Sequence, residues 1–415
     1  MKQKILIVED SLTIRRMLIQ AIAQQTGLEI DAFDTLEGAR HCRGEEYVVA
    51  LVDLTLPDAP SGEAVKVLLE RGLPVVILTA DISEEKRAAW LEAGVLDYVM
   101  KDSRHSLQYA VSLVHRLYLN QRIEVLVVDD SRTSRHRTMA QLRKQLLLVH
   151  EASHAREALA QLEQNPAIRL VLVDYYMPEI DGISLVRMLR ERYSKQQLAI
   201  IGISVSDKRG LSARYLKQGA NDFLNQPFEP EELQCRVSHN LEALEQFNSI
   251  QESANRDYLT GLYNRRYWFN EGQKWFEEHQ RQETPLALCV LDVDHFKQVN
   301  DHWGHAIGDQ LLCHLTRLLT QFFPDAMIAR FGGEEFALMV PHCTVPVLLK
   351  RLEGLRQQMR QQPLSRETPL FVRASFGVIK VGRGSMDEAL SEADRLLYQA
   401  KNTGRDKIVS QDSSA

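Results

Sequence analysis

Glu9 and Asp10 follow the apolar run ILIV, Asp53 follows ALV, Thr79 follows VVIL, and Lys101 follows YVM. Carboxylates gathered at one edge repel one another, and a divalent cation relieves that repulsion. Hard oxygen ligands with room for water suit Mg2+. Asp53 could then act on phosphorus, since a carboxylate can form an aspartyl-phosphate. Thr79 would supply a hydroxyl and Lys101 a positive charge to the phosphoryl oxygens. Any one of these residues alone would read as a solvated loop position. The ordered set of acid pair, acid, hydroxyl and lysine points to phosphoryl transfer.

A second set follows at an offset of 120 residues: Asp129, Asp130, Asp174 and Ser204. Where the first set has Lys101, this one has Gln226, followed by Pro227. An amide can donate a hydrogen bond but cannot offset the charge of a dianionic phosphoryl group. The second set is therefore expected to be a poor phosphoryl acceptor or transmitter and to serve as an adaptor, with Asp174 as a second phosphorylation candidate.

The last third of the chain carries different chemistry. In AMIARFGGEEFALMV, Gly332-Gly333 reads as a two-residue hairpin connection, with Glu334 and Glu335 just beyond it. Adjacent strand residues point to opposite faces, so at most one of the two glutamates is expected to face a metal directly. The two glycines let a ligand approach the backbone closely. Asp292 ends the run LALCVL, and acids from neighbouring strands can hold Mg2+ against a triphosphate. Asn300 and Asp309 offer an amide and a carboxylate. A carboxylate can accept both N–H groups on the Watson–Crick edge of guanine, which selects GTP over an adenine nucleotide. Lys401 and Arg405 are four apart, on one side of a helix end if that segment is helical, where they could hold the β- and γ-phosphates.

The elements that must position these residues are visible as an internal repeat. ILIVEDSLTIRR (5–16) matches VLVVDDSRTSRH (125–136), ALVDLTLPDAPSG (50–62) matches VLVDYYMPEIDG (171–182), and VVILTAD (75–81) matches IIGISVS (200–206). Short apolar runs alternate with helical segments, which predicts parallel sheets with helices on both faces. Functional residues then lie at the carboxyl ends of the strands. Leu233, Val237, Leu241, Leu244 and Phe247 keep helical spacing, with no Gly or Pro between Pro230 and Gly261. This predicts a continuous helix whose stripe packs wholly on its own domain or also pairs with a second chain as a short coiled coil.

Composition narrows the class. The 415 residues suggest two to four domains. The net charge of −6, without a basic block, gives no support for a nucleic-acid surface. No apolar run reaches the ~18–20 residues of a membrane span, and MKQKILIVEDS lacks the features of a signal peptide. Cys42, Cys235, Cys289, Cys313 and Cys343 are odd in number and scattered, as expected of reduced thiols in a cytoplasmic protein.

Both repeats resemble receiver domains of bacterial two-component response regulators. The resemblance implies two tandem doubly wound, flavodoxin-like α/β domains. It places the phospho-acceptor on Asp53, metal ligands on Glu9, Asp10 and Asp53, and phosphate partners on Thr79 and Lys101. Tyr98 falls on the family's aromatic switch position. Asp102 departs from the proline usual after the lysine. Asp129, Asp130 and Asp174 are the weaker metal set of the second receiver.

DYLTGLYNRR (257–266), LDVDHFKQVND (291–301) and FGGEEF resemble the GGDEF domain of diguanylate cyclases, in its GGEEF form, over about 160 residues. The implied fold is a ferredoxin-like α/β palm related to nucleotidyl cyclases. The implied reaction joins two GTP molecules into cyclic di-GMP and pyrophosphate. Asp292, the Val293 carbonyl and Glu334 would hold Mg2+ or Mn2+, and Glu334 would also activate the 3′-hydroxyl, with Glu335 in a less defined role. Asn300 and Asp309 would read guanine, and Lys297, Lys401 and Arg405 would hold phosphates around Gly332 and Gly333. Asp257 and Arg265 are read as structural. The family's RxxD product-inhibition motif is replaced by Phe323-Pro-Asp-Ala326, so strong feedback there is not expected.

The expected organisation is receiver 1 over 1–120, receiver 2 over 121–240, a helical linker over 241–256 and the cyclase over 257–412. Partners implied are GTP, a cognate histidine kinase or phosphotransfer protein, and a second copy of the chain, with no nucleic acid and no membrane insertion. The alternative is a non-catalytic module that binds GTP or cyclic di-GMP.

Overall fold

The computed structural model describes residues 4–80, 83–205, 210–365 and 368–411. Asp81 and Ser206, which end two of the repeated segments, and residue 412 of the expected cyclase limit lie outside them. The chain forms two compact units, Met1–Phe247 and Asn248–Ala415.

The first unit holds two parallel sheets. The strands of the first are β1 (Lys4–Val8), β2 (Glu29–Phe33), β3 (Tyr47–Asp53), β4 (Val75–Thr79) and β5 (Asp97–Met100), in the order β2-β1-β3-β4-β5. Those of the second are β6 (Glu124–Val128), β7 (Leu148–Ala152), β8 (Ile168–Asp174), β9 (Ala199–Val205) and β10 (Asp222–Gln226), in the order β10-β9-β8-β6-β7. Both are the flavodoxin-like 2-1-3-4-5 order. The central strands YVVALVD and VVILT are buried throughout, as a sheet covered by helices on both faces requires.

The helix Pro230–Asn255 is continuous. Its Leu233, Val237, Leu241 and Leu244 pack with Val125, Leu172 and Leu224 of the second repeat. The stripe therefore serves its own domain through Leu244, while Phe247 and Ile250 are 41% and 69% exposed.

The second unit has one mixed sheet of β11 (Tyr263–Asn264), β12 (Leu286–Val293), β13 (Met327–Gly332), β14 (Glu335–Pro341), β15 (Ala374–Lys380) and β16 (Ile408–Ser410). Its order is β11-β13-β14-β12-β15-β16. The inner four strands reproduce the β-α-β-β-α-β ferredoxin-like arrangement. Leu311, Leu315 and Leu352 fill one face of the sheet, and Trp268, Phe276 and Leu396 fill the other.

The hairpin differs from the expectation by one residue. Gly332 is the last residue of β13, and Gly333-Glu334 makes the connection to Glu335, the first residue of β14. The glycines have φ of 149° and 50°, so the bend needs both, but it falls one position later. Glu334 is therefore a turn residue and is not bound by strand alternation.

Among the described residues, no helix is long and apolar enough to cross a membrane. All five cysteines are free, with Cys42, Cys289 and Cys343 buried.

Candidate functional site

In the first repeat the carboxyl ends of β1, β3, β4 and β5 place the expected residues at one edge. Glu9, Asp10 and Asp53 bring carboxylate oxygens within 4.8 Å of one another, a donor set that fits a hard divalent cation. Glu9 and Asp53 are buried and Asp10 is exposed. The Lys101 ammonium reaches both buried acids, 2.6 Å from Asp53 Oδ2 and 3.2 Å from Glu9 Oε2. Burial pushes both carboxyls above their ordinary range, against the pull of Lys101. Burial alone would lower Lys101, but Asp53 and Glu9 carry it above its ordinary value. Thr79 is buried at the end of β4, and its carbonyl accepts the Lys101 backbone N–H at 2.7 Å.

In the second repeat Asp129, Asp130 and Asp174 form the same cluster within 4.8 Å, and Ser204 is buried on β9. Gln226 lies at the end of β10, but its amide donates to Ser134 Oγ at 3.2 Å. Among the described residues, none of the three acids has an ion pair. Burial first, and then the charge of Asp129, raises Asp174 to about 7.

In the second unit Asp292 is buried near the end of β12, in register with Glu335 on β14 and Ser375 on β15. The Val293 N–H donates to the Glu334 carbonyl at 3.2 Å, which brings the Gly333-Glu334 turn against the end of β12. Lys401 Nζ lies 2.8 Å from Asp292 Oδ2. Burial raises the Asp292 carboxyl, Lys401 opposes that, and the charges of Glu334 and Glu335 add to it. A buried acid with two further acids nearby and an ammonium against it fits a cation-binding position. The three acids do not, however, close into a cluster as tight as those of the repeats.

Asn300 and Asp309 come from two successive helices, Phe296–Trp303 and His305–Phe322. Asn300 Oδ1 is buried without a hydrogen-bond partner among the described residues. A Cβ at Gly308 would lie 1.9 Å from that oxygen, so only glycine lets the second helix close over it. Asp309, Lys297 and Arg405 are exposed, and among the described residues the ion pair of Asp292 is with Lys401. Arg405 lies beyond the helix Met386–Asn402, so it does not share a helix side with Lys401 as the four-residue spacing suggests.

Residues 5–111 and 125–238 match the response regulator receiver domain, and residues 254–407 match the diguanylate cyclase GGDEF domain. The receiver matches together cover more than half of the chain. The chain is a response regulator with two receiver domains and a GGDEF domain. Response regulator PleD of Caulobacter vibrioides is 28% identical over 87% of this chain and 88% of its own length. Diguanylate cyclase VdcA of Vibrio cholerae is 36% identical over 40% of this chain and 49% of its own. A solved structure described as a two-component system response regulator/GGDEF domain protein is 96% identical. It covers 59% of this chain and 100% of its own, with a TM-score of 0.57.

Three features of this response regulator were not legible in its motifs. Arg330, two residues before the glycine pair, donates through Nε and Nη2 to the Gly333 carbonyl at 2.9 and 2.7 Å. Its Nη1 reaches Asp257 Oδ1 at 2.9 Å, so the structural role read for Asp257 bears on the turn that carries Glu334. Within the receiver pair, the guanidinium of Arg87 lies 4.7 Å from the Tyr98 ring and pairs with Glu231 on the helix Pro230–Asn255. On the same helix Gln234 donates to Asp97 at 3.2 Å, and Glu245 takes both Nη atoms of the buried Arg116 at 2.8 and 2.9 Å. At the absent RxxD position Phe323 is buried and Asp325 pairs with Arg351 at 2.6 Å.

Proposed function

We propose that this response regulator condenses two GTP molecules into cyclic di-GMP with release of pyrophosphate, under control of phosphorylation at Asp53. The observation that carries the reading is the end of β12. There buried Asp292 faces Glu335, touches the Gly333-Glu334 turn through its neighbour Val293, and meets Lys401 at 2.8 Å.

In this reading the 3′-hydroxyl of each GTP attacks the α-phosphorus of the other, so two phosphodiester bonds form and two pyrophosphates leave in line. Glu334 takes the hydroxyl proton, and Glu335 is the adjacent acid. The unpaired Asn300 Oδ1 and the Asp309 carboxylate accept guanine N–H groups. Lys297, Lys401 and Arg405 bind phosphate oxygens, and bare Gly332 and Gly333 let the triphosphate lie against the backbone. Mg2+ or Mn2+, held by Asp292, the Val293 carbonyl and Glu334, would neutralise the triphosphate. Lys401 leaves Asp292 for the phosphates when nucleotide arrives. Each domain holds half of a symmetric product, so two copies of the chain must face each other.

Control begins at a site formed by Glu9, Asp10, Asp53, Thr79 and Lys101 and loaded by a histidine kinase or phosphotransfer protein. Asp129, Asp130 and Asp174 form the weaker site, in an adaptor domain. The division of labour follows the segments 1–120, 121–240, 241–256 and 257–412. The contacts of Arg87, Asp97 and Arg116 with Glu231, Gln234 and Glu245 link receiver 1 to the helix that leaves receiver 2. A phosphoryl group on Asp53 would act through them toward a dimer-competent state.

The test is synthesis of cyclic di-GMP by purified full-length protein with GTP and Mg2+. Glu334→Ala should lower turnover on the order of 100-fold or more. Unchanged turnover in that variant would remove Glu334 from the reaction. GTP binding without product formation in the parent protein would favour a non-catalytic module.

A further inference from the structure

The stretch LDVD carries a second carboxylate, Asp294, two residues beyond Asp292. Spacing alone would offer it to the same cation, but the structure commits it elsewhere. Asp294 is buried, its Oδ1 accepts the Ser375 hydroxyl at 2.7 Å, and its Oδ2 accepts the Asp406 backbone N–H at 2.8 Å. Ser375 stands on β15 directly opposite Asp292. This buried anchor is therefore built on the strand that flanks the Asp292 site.

Arg405 and Asp406 follow the helix Met386–Asn402, and both have left-handed backbone, with φ of 59° and 46°. Two successive residues with side chains persist there only when their surroundings hold them. Asp294 supplies one hold. Arg356 donates to the Asp406 carbonyl at 2.6 Å, and Arg360 pairs with the Asp406 carboxylate at 2.7 Å. The Arg405 N–H is held by the Ala400 carbonyl at 3.0 Å. The N–H that Asp294 accepts belongs to the planar peptide joining Arg405 to Asp406. Fixing that peptide fixes the direction in which the Arg405 side chain leaves the chain, four residues beyond Lys401 and outside its helix.

We propose that Asp294 is a positioning residue for the triphosphate. It holds the left-handed Arg405–Asp406 turn so that the Arg405 guanidinium meets the β- and γ-phosphates. The inference rests on reading Arg405 as a phosphate ligand. It follows that Asp294 matters only for nucleotides that carry those phosphates, and that it is not a metal ligand.

The test is equilibrium binding to the full-length protein in Mg2+ of 3′-deoxy-GTP, which lacks the attacking hydroxyl, and of GMP. Asp294→Ala and Arg405→Ala should each weaken 3′-deoxy-GTP about tenfold, and the double variant should lose little more than either. GMP affinity should stay within about twofold, and Mn2+ binding without nucleotide should be unchanged. Asp294→Asn keeps the side-chain volume and can still accept one donor. It should lose about threefold, and it carries the same comparison if the alanine variant does not fold. Equal losses for GMP and 3′-deoxy-GTP would make Asp294 a general prop and overturn the inference, as would a loss of Mn2+ affinity. Normal 3′-deoxy-GTP binding by the Asp294 variants, with weakened binding by Arg405→Ala, would overturn the inference alone. Normal binding by Arg405→Ala would overturn the phosphate role of Arg405 and the inference with it.

Discussion

The two receivers place three carboxylates on the same strand ends, yet the electrostatics of the two clusters diverge. In receiver 1 the Lys101 ammonium lies 2.6 Å from Asp53 and 3.2 Å from Glu9, so the cluster carries its own counter-charge. In receiver 2 the Gln226 amide has turned to Ser134, and burial raises the Asp174 carboxyl to about 7. One substitution at the end of one strand separates an acid cluster prepared for a phosphoryl dianion from one that keeps only its geometry. The fold therefore tolerates loss of the cation, while the proposed chemistry does not.

The widest gap between the two receivers should appear in signalling. Asp53→Asn should abolish the stimulation of cyclic di-GMP synthesis by a phosphodonor, while Asp174→Asn leaves it within about twofold, both read as product formed over time. Lys101→Gln makes the first site resemble the second. It removes a charge-assisted bond of about 1.5–3 kcal/mol, so steady-state phosphorylation of Asp53 should fall at least about tenfold by intact mass. Gln226→Lys runs the comparison in reverse and should bring measurable label to Asp174, by about threefold or more over the parent. No change in either labelling or cyclase activity would make the glutamine incidental.

The smallest effect concerns stability. The folded receiver favours the protonated form of Asp174, so this contribution is full below the unfolded value near 4. It is lost as pH rises through about 7. With a chelator present, Asp174→Asn should raise the melting temperature at pH 8 by about 2–4 °C and change it little at pH 4. A larger gain at pH 4 than at pH 8 would contradict the burial argument.

Much of this architecture is legible in the residues. Apolar runs ending in Glu9, Asp53, Thr79 and Lys101 declare the strands and their functional edge together, because a buried parallel strand is apolar until it reaches that edge. FGGEEF likewise declares a hairpin, but the bend sits at Gly333-Glu334, one residue later than the glycine pair suggests. Arg330 holds the Gly333 carbonyl from three residues away, and Arg330 is itself held by Asp257, 73 residues distant, a partnership with no local signature. The stripe from Leu233 to Leu244 has a period that does not name what it packs on, and its place on the sheet of the second repeat appears only in the fold. Asp294 shows the same limit. Its role is not visible beside Asp292, because its partners, Ser375 and the Asp406 N–H, lie 81 and 112 residues away.

The most direct test of the division between the receivers is to treat the full-length protein with a small phosphodonor and Mg2+ and to map the added phosphate by mass. One phosphoryl group on Asp53, accompanied by a rise in cyclic di-GMP synthesis, is the predicted result. Phosphate carried mainly by Asp174 would contradict it.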